Sequence, residues 1–305
     1  MHVTPYCVAC ALLKRAVELE MHEEDYTRKL AIYRKLLEAV NLYIGPDIEV
    51  AELATVSFRR LKALLDRKSL YEEVIRRDLN KAISRAKSIE DSLTGKPLDE
   101  RIAGALRAAS LATGYRPFNT LDKLLAEPPS AVDLAAFGTS LKIGRDDSKQ
   151  VMDRLYDMRR DGGIVYYAFG SVFELPYDAI LIKLLRDELG LGVIGIARSE
   201  RYEDYVTAND LEAVGVADLL AEVIDIGSDA ATITKDDNEH LYEQLNEASL
   251  VVVKGDVQTL YFHNNPPRAP VLFLFAAPCA VLSKLFNVPE KSFNIVFYEQ
   301  GSEAE

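Results

Sequence analysis

Asp161-Gly162-Gly163-Ile164-Val165-Tyr166-Tyr167-Ala168-Phe169 is the stretch at which this chain changes character. Before it, apolar residues recur at helical spacing; from Ile164 onward they gather in short runs without alternation. The runs cover 164–169, 193–197, 222–226, 250–253, 271–275 and 293–298. Helical patterns fill most of the gaps, at 174–189, 203–214, 236–247 and 278–287. Continuous apolar strands alternating with helices are what a parallel sheet needs when helices cover both of its faces. The expected fold class for 161–305 is therefore α/β: a three-layer α-β-α domain with a mainly parallel sheet and right-handed crossovers. Residues 253–270 show no clear helical pattern and are expected to form an irregular loop.

Working back toward the N-terminus, 8–44 carries Leu12, Leu13, Ala16 and Leu19, then Leu30, Tyr33, Leu37 and Val40, and Gly45-Pro46 ends it. Amphipathic patterns follow at 49–66, 70–93 and 98–113, the last rich in small residues that admit a close neighbour. A short helix is expected from Thr120 to Leu125, broken by Glu127-Pro128-Pro129, and one more at 147–160. Strand patterns are nearly absent before 160, so 1–160 reads as an all-helical domain and the sheet is expected to begin at Ile164. Charge marks the same boundary. Residues 1–160 carry 27 Lys and Arg against 24 Asp and Glu, whereas 161–305 carry 9 against 24.

Composition narrows the function classes. Hydrophobic residues make up 49% and charged residues 28%, a globular balance. No apolar run approaches the roughly 20 residues of a membrane span, and Met1-His2-Val3-Thr4-Pro5 does not open a signal peptide. The expected location is cytoplasmic, with no membrane partner. A balance of −15 over the second half repels nucleic acid, and Arg59-Arg60 and Arg76-Arg77 lie among equally frequent acids as solvated helix faces.

In a parallel sheet, ligands bind beyond the carboxyl ends of the strands. That rule nominates Phe169-Gly170-Ser171, Arg198-Ser199, Gly227-Ser228-Asp229, Lys254-Gly255-Asp256 and Ala276-Ala277. Gly190-Leu191-Gly192-Val193-Ile194-Gly195 has the spacing of a dinucleotide motif, but it joins a helix end to a strand start, on the opposite rim; Gly190 reads as a helix C-cap. His2, His22, His240 and His263 are too scattered for a zinc hydrolase or a Ser-His-Asp triad. His263 reads as a surface or packing residue, or else as the proton carrier of a site. Cys7 and Cys10 form one Cys-x-x-Cys where a structural zinc site wants four ligands, leaving a buried pair or a thiol-redox pair; Cys279 reads as helix-start packing.

Tyr6-Cys7-Val8-Ala9-Cys10 opening a helix resembles the start of the archaeal branch of the domain-of-unknown-function-89 family, the damage-control phosphatases. The resemblance continues through Glu174-Leu175-Pro176-Tyr177-Asp178, Arg198, the stretch from Glu222 to Ala230, Lys254-Gly255, and from Cys279 to Pro289. It implies a helical domain followed by a Rossmann-like one, and metal-dependent hydrolysis of phosphomonoesters. It also implies an Asp-Asn metal pair at the positions of Gly170 and Ser171, a glycine at Phe173, and a further Asp at Tyr205. Of that first motif only Glu174 is kept. An alignment shift of one residue makes Asp204 the second-strand ligand. The family's Asn after its Lys-Gly has no counterpart in Lys254-Gly255-Asp256-Val257-Gln258-Thr259, its Lys before the late cysteine is lost in Ala276-Ala277-Pro278, and its Gly-Asn-x-x-Asp falls on Ala109-Ser110-Leu111-Ala112-Thr113.

A hard divalent ion needs several oxygen ligands, usually including a carboxylate. The expectation is therefore an inactive or repurposed member with no cofactor, keeping an anionic small molecule at Arg198, Ser199, Ser228 and Lys254. The alternatives are an active phosphatase holding Mg, Mn or Co on relocated ligands (Glu174, Asp204, Asp229, Asp256), and a non-catalytic interaction protein whose cleft is filled by Phe173 and Tyr205.

Overall fold

A computed structural model describes residues 2–118 and 123–299. Its centre is a sheet of seven strands: β1 (Ile143–Asp146), β2 (Ile164–Ala168), β3 (Gly192–Ala197), β4 (Glu222–Asp225), β5 (Leu250–Lys254), β6 (Val271–Ala277) and β7 (Ser292–Tyr298), in the order β1-β7-β6-β5-β2-β3-β4. Only β6 and β7 pair antiparallel; the other neighbours are parallel. Every residue of β5 and β6 is buried, as the unbroken apolar runs require. The strand β1 precedes the compositional boundary at 160, so the sheet does not start at Ile164. Ile143-Gly144-Arg145-Asp146 has one large apolar residue and gives no strand pattern; its place is fixed instead by pairing to β7 and by the Arg145 amide, which donates to the Asn294 side chain at 3.1 Å.

Helices α1 (Pro5–His22), α2 (Tyr26–Asn41), α3 (Val50–Leu64), α4 (Glu72–Leu93), α5 (Leu98–Ala112), α6 (Ala131–Ala135) and α7 (Ser148–Asp161) make up most of the first half. Gly162 ends α7 in the left-handed region at φ 72°. Of the helix expected at 120–125, residues 120–122 lie outside the described residues, and 123–125 are not helical: Leu125 forms a bridge with Tyr115 instead. The small-residue face of α5 lies against α8 (Leu175–Lys183) and against β6 and β7. After α9 (Ala208–Val214) and α10 (Glu239–Asn246), α11 (Asp256–Asn264) occupies the region expected to be irregular. It has no amphipathic period because Val257, Gln258, Thr259, Leu260, Tyr261 and Phe262 are all buried. Last comes α12 (Ala280–Phe286). One continuous hydrophobic cluster runs from Leu19, Leu36 and Phe58 to Val165, Val252 and Phe273, so the helical and α/β halves share a core.

Candidate functional site

The carboxyl ends of β2, β3 and β5 meet beneath the helices of the first half. After β2, the chain forms a short ladder with the segment after β3: the Val206 amide donates to the Gly170 carbonyl at 2.9 Å and the Val172 amide to the Asp204 carbonyl at 2.8 Å. This ladder turns the Asp204 carboxylate toward Ser171, whose hydroxyl donates to it at 2.7 Å. Tyr205, one residue on, packs its ring under the Arg198 guanidinium, 4.4 Å from the ring centre. The carboxylate presented by this turn is thus Asp204, the one-residue alternative to Tyr205.

Glu174 is fully buried at the start of α8. Arg116, from the loop after α5, donates to its Oε1 at 3.1 Å, and the Lys254 ammonium lies 3.0 Å from its Oε2. The same Lys254 donates to Asp178, which also accepts from the Tyr167 hydroxyl at 2.8 Å. Burial pushes the Asp178 carboxyl up to about 6, against the lowering effect of Lys254. Arg116 reaches two further carboxylates: its Nη1 is 3.9 Å from Asp204 and its Nη2 3.8 Å from Asp256. Burial opposes the charge on Arg116, yet Asp256, Glu174 and Asp204 together raise its pKa well above the ordinary arginine value. Burial likewise raises the carboxyl of Asp204, an effect that Arg116 and Ser171 oppose.

Of the candidate anion binders, Arg198 is 2% exposed and spends its donors on the Ala230 carbonyl (2.7 Å), the Ala231 carbonyl (2.8 Å) and Gln258 (3.2 Å). Burial pulls its pKa down to about 10. Lys254 is fully buried between its two carboxylates. Ser228 accepts from the Ala230 amide at 3.3 Å, and Ser199 is exposed. Both cations therefore serve the interior. Of the relocated-ligand set, Glu174, Asp204 and Asp256 converge on Arg116, whereas Asp229 is held by Arg59 and Lys62 at 2.7 Å each. Phe173 is buried against Tyr115 and Phe118.

A divalent metal does not fit these residues. A Cβ on Gly170 would lie 2.9 Å from Glu174 Oε2 and 3.2 Å from the Gly255 amide, so a side chain there would crowd Glu174 and the backbone after β5. Burial raises the Tyr205 phenol well above its ordinary value, which keeps it protonated and a poor ligand. Among the described residues, no group of three or more His, Cys, Asp or Glu side chains is arranged to hold an ion. The cleft in front of Arg116, lined by Lys14, Glu18, Tyr71, Asp204, Tyr205 and Asp256 among others, has a volume of about 30 Å³, room for roughly two waters. His263 sits on α11 with its ring 4.6 Å from that of Phe286, as a packing residue. Cys7, Cys10 and Cys279 line an adjoining, mainly apolar cavity between α1, α3, α11 and the start of α12, which shares Lys14, Glu203, Asp256 and Val257 with the cleft.

Beside the cleft, α1 contributes a second buried cluster that the sequence reading did not name. Arg15, 1% exposed, donates to Glu18 at 2.8 Å and to Glu203, and its Nη1 donates to the Ser57 hydroxyl at 3.3 Å. Tyr71 donates to Glu18. Burial would raise both carboxyls. Lys14 and Arg15 hold Glu203 down to about 2, whereas Glu18 is pushed up to about 7 despite Arg15. In the unfolded chain Glu18 returns to its ordinary 4.5, so between those values the native state binds the extra proton. The stability it supplies is complete below pH 4.5 and fades as pH rises through about 7. Urea midpoints measured from pH 4.5 to 8 should fall more gently in Glu18→Gln than in the unaltered protein.

A mainly parallel sheet with helices on its faces and a helical N-terminal half is also the fold of a solved DUF89 family protein from Pyrococcus horikoshii. The TM-score is 0.78 at 18% identity, over 97% of this chain and 99% of that one. At that identity the likeness is one of fold. The sequence itself matches the damage-control phosphatase ARMT1-like domain over residues 3–292, and the chain belongs to that family. No curated protein matches it.

Proposed function

We propose that this chain is a divergent, catalytically silent member of the damage-control phosphatase family, repurposed for a role that does not require hydrolysis. The observation that carries this reading is the filling of the metal region by protein. Gly170 offers no side-chain ligand, Tyr205 is turned under Arg198, and the carboxylates that remain are paired with Arg116 and Lys254. Metal-assisted phosphoryl transfer needs an ion that neutralises the phosphate and orients the attacking group. Without it, a phosphate dianion would meet Glu18, Glu203, Asp204 and Asp256 in a small cleft whose cations, Lys14 and Arg116, are already paired with carboxylates.

The unaltered protein, assayed with Mg, Mn or Co on p-nitrophenyl phosphate and on sugar phosphates, should show no turnover above a chelator control. Metal-dependent turnover removed by Asp204→Asn would sink the reading in favour of relocated ligands. An anion-binding version is tested separately by adding phosphate to a melting experiment. With Arg198 and Lys254 committed to the interior, the expected shift is nil; a rise in Tm that disappears in Arg198→Ala would support retained anion binding.

A further inference from the structure

Three strand ends each deliver one carboxylate to the same point: Glu174 from after β2, Asp204 from after β3 and Asp256 from after β5. One guanidinium lies 3.1–3.9 Å from all three. It comes from outside the sheet, on the loop after α5, and its side chain is 9% exposed. Three carboxylates this close, largely removed from water, repel one another strongly unless a cation stands among them. We infer that Arg116 is the resident cation of this site, a guanidinium that does the charge-neutralising work of a divalent ion and thereby excludes one. This deepens the proposed function and rests on it.

The geometry explains the exclusion as well as the neutralisation. Nitrogen-to-oxygen distances of 3.1–3.9 Å hold the carboxylates farther out than the roughly 2.0–2.6 Å that magnesium, manganese or calcium require. The planar fork acts as a spacer, so an ion would have to displace Arg116 and draw the three oxygens inward together. A guanidinium is never deprotonated at working pH and offers donors in several directions, which suits it to remain there permanently. Once it is gone, the same carboxylates have the hard oxygen character that divalent ions prefer.

The test is Mn²⁺ binding, followed by electron paramagnetic resonance and by the metal-induced change in Tm. The unaltered protein should bind no Mn²⁺ below millimolar concentration. Arg116→Ala should bind it at least tenfold more tightly and gain Tm on its addition, and Asp204→Asn on that background should abolish the gain. Arg116→Lys, which keeps a positive charge, should still exclude the ion. Should Arg116→Ala not fold without metal, refolding on addition of Mn²⁺ supports the inference, and Arg116→Gln supplies a neutral variant of closer size. A folded Arg116→Ala or Arg116→Gln that ignores Mn²⁺, or an unaltered protein that binds it equally well, overturns the inference. The two readings fail differently. Metal-free hydrolysis by the unaltered protein would end the proposed silence and leave Arg116 as resident cation, whereas an inactive protein whose variants gain no metal would leave the silence and end the Arg116 inference.

Discussion

Lys254→Met should cost about 3–5 kcal/mol of stability, the penalty for leaving the buried Asp178 carboxylate without its cation and Glu174 with Arg116 alone. Lys254 is fully buried, 3.0 Å from Glu174 and hydrogen-bonded to Asp178. Methionine keeps most of the stem volume, so the loss reports charge rather than a cavity. In a chain of this size it corresponds to a fall in Tm of roughly 10 °C. The effect should shrink as pH falls through 6, because Asp178 already titrates near there and a protonated carboxyl no longer needs its cation. Adding Asp178→Asn and Glu174→Gln to Lys254→Met should recover much of the loss, since a neutral network replaces an unpaired one. A loss under about 1 kcal/mol would mean that water reaches these oxygens, contrary to their burial.

Arg15→Met should be comparably damaging but local in its signature. Arg15 ties α1 to the strand-end turn at Glu203, a residue held in the left-handed region at φ 45°. Its guanidinium also lies 5.2 Å from the centre of the Phe58 ring on α3. Without it, Glu18 and Glu203 face each other across a dry gap, and Glu203 keeps only Lys14, 3.7 Å away, and the Tyr202 hydroxyl. Hydrogen exchange should show 5–22 opening before the sheet, with a loss of about 3–5 kcal/mol in overall stability. Arg15→Met combined with Glu18→Gln should be less damaging than Arg15→Met alone. Uniform exchange across the chain, with α1 no faster than β5, would contradict this.

How much of this was legible in the sequence depends on where each residue's partners lie. The central strands were readable because burial on both faces writes itself as an unbroken apolar run, and the edge strand β4 was readable from the Val223-Ile224 pair and the Ile226 that follows it. The helix α11 was not, for the same reason applied to a helix: with no polar face there is no period to detect. The strand β1 was hidden because Ile143-Gly144-Arg145-Asp146 takes its strand character from Asn294, about 150 positions away. The strand-end rule found Arg198, Lys254 and Asp256, and the family resemblance added Glu174 and Asp204, but which charge answers which is a matter of distances. Arg116 lies in a loop with no periodicity at all. Arg15 did leave a trace: with Ala11, Glu18 and Leu19 it occupies the buried side of α1, where a charged pair interrupts an otherwise apolar stripe.

The insertion of β7 between β6 and β1 sets an order of events during synthesis. Asp146 ends β1, and the chain must grow by 146 residues to reach Ser292, where its partner begins. At roughly 5–20 residues per second that is a wait of roughly 7–30 s. Throughout it, β1 has no hydrogen-bonding neighbour, and the faces of α5 that will meet β6 and β7 have nothing to cover them. The helical half therefore leaves the ribosome well ahead of the strands that complete its core. An arrested nascent chain ending short of β7 would present an open strand edge and an uncovered small-residue helix face, the two features that holding chaperones bind and that promote aggregation when nothing holds them.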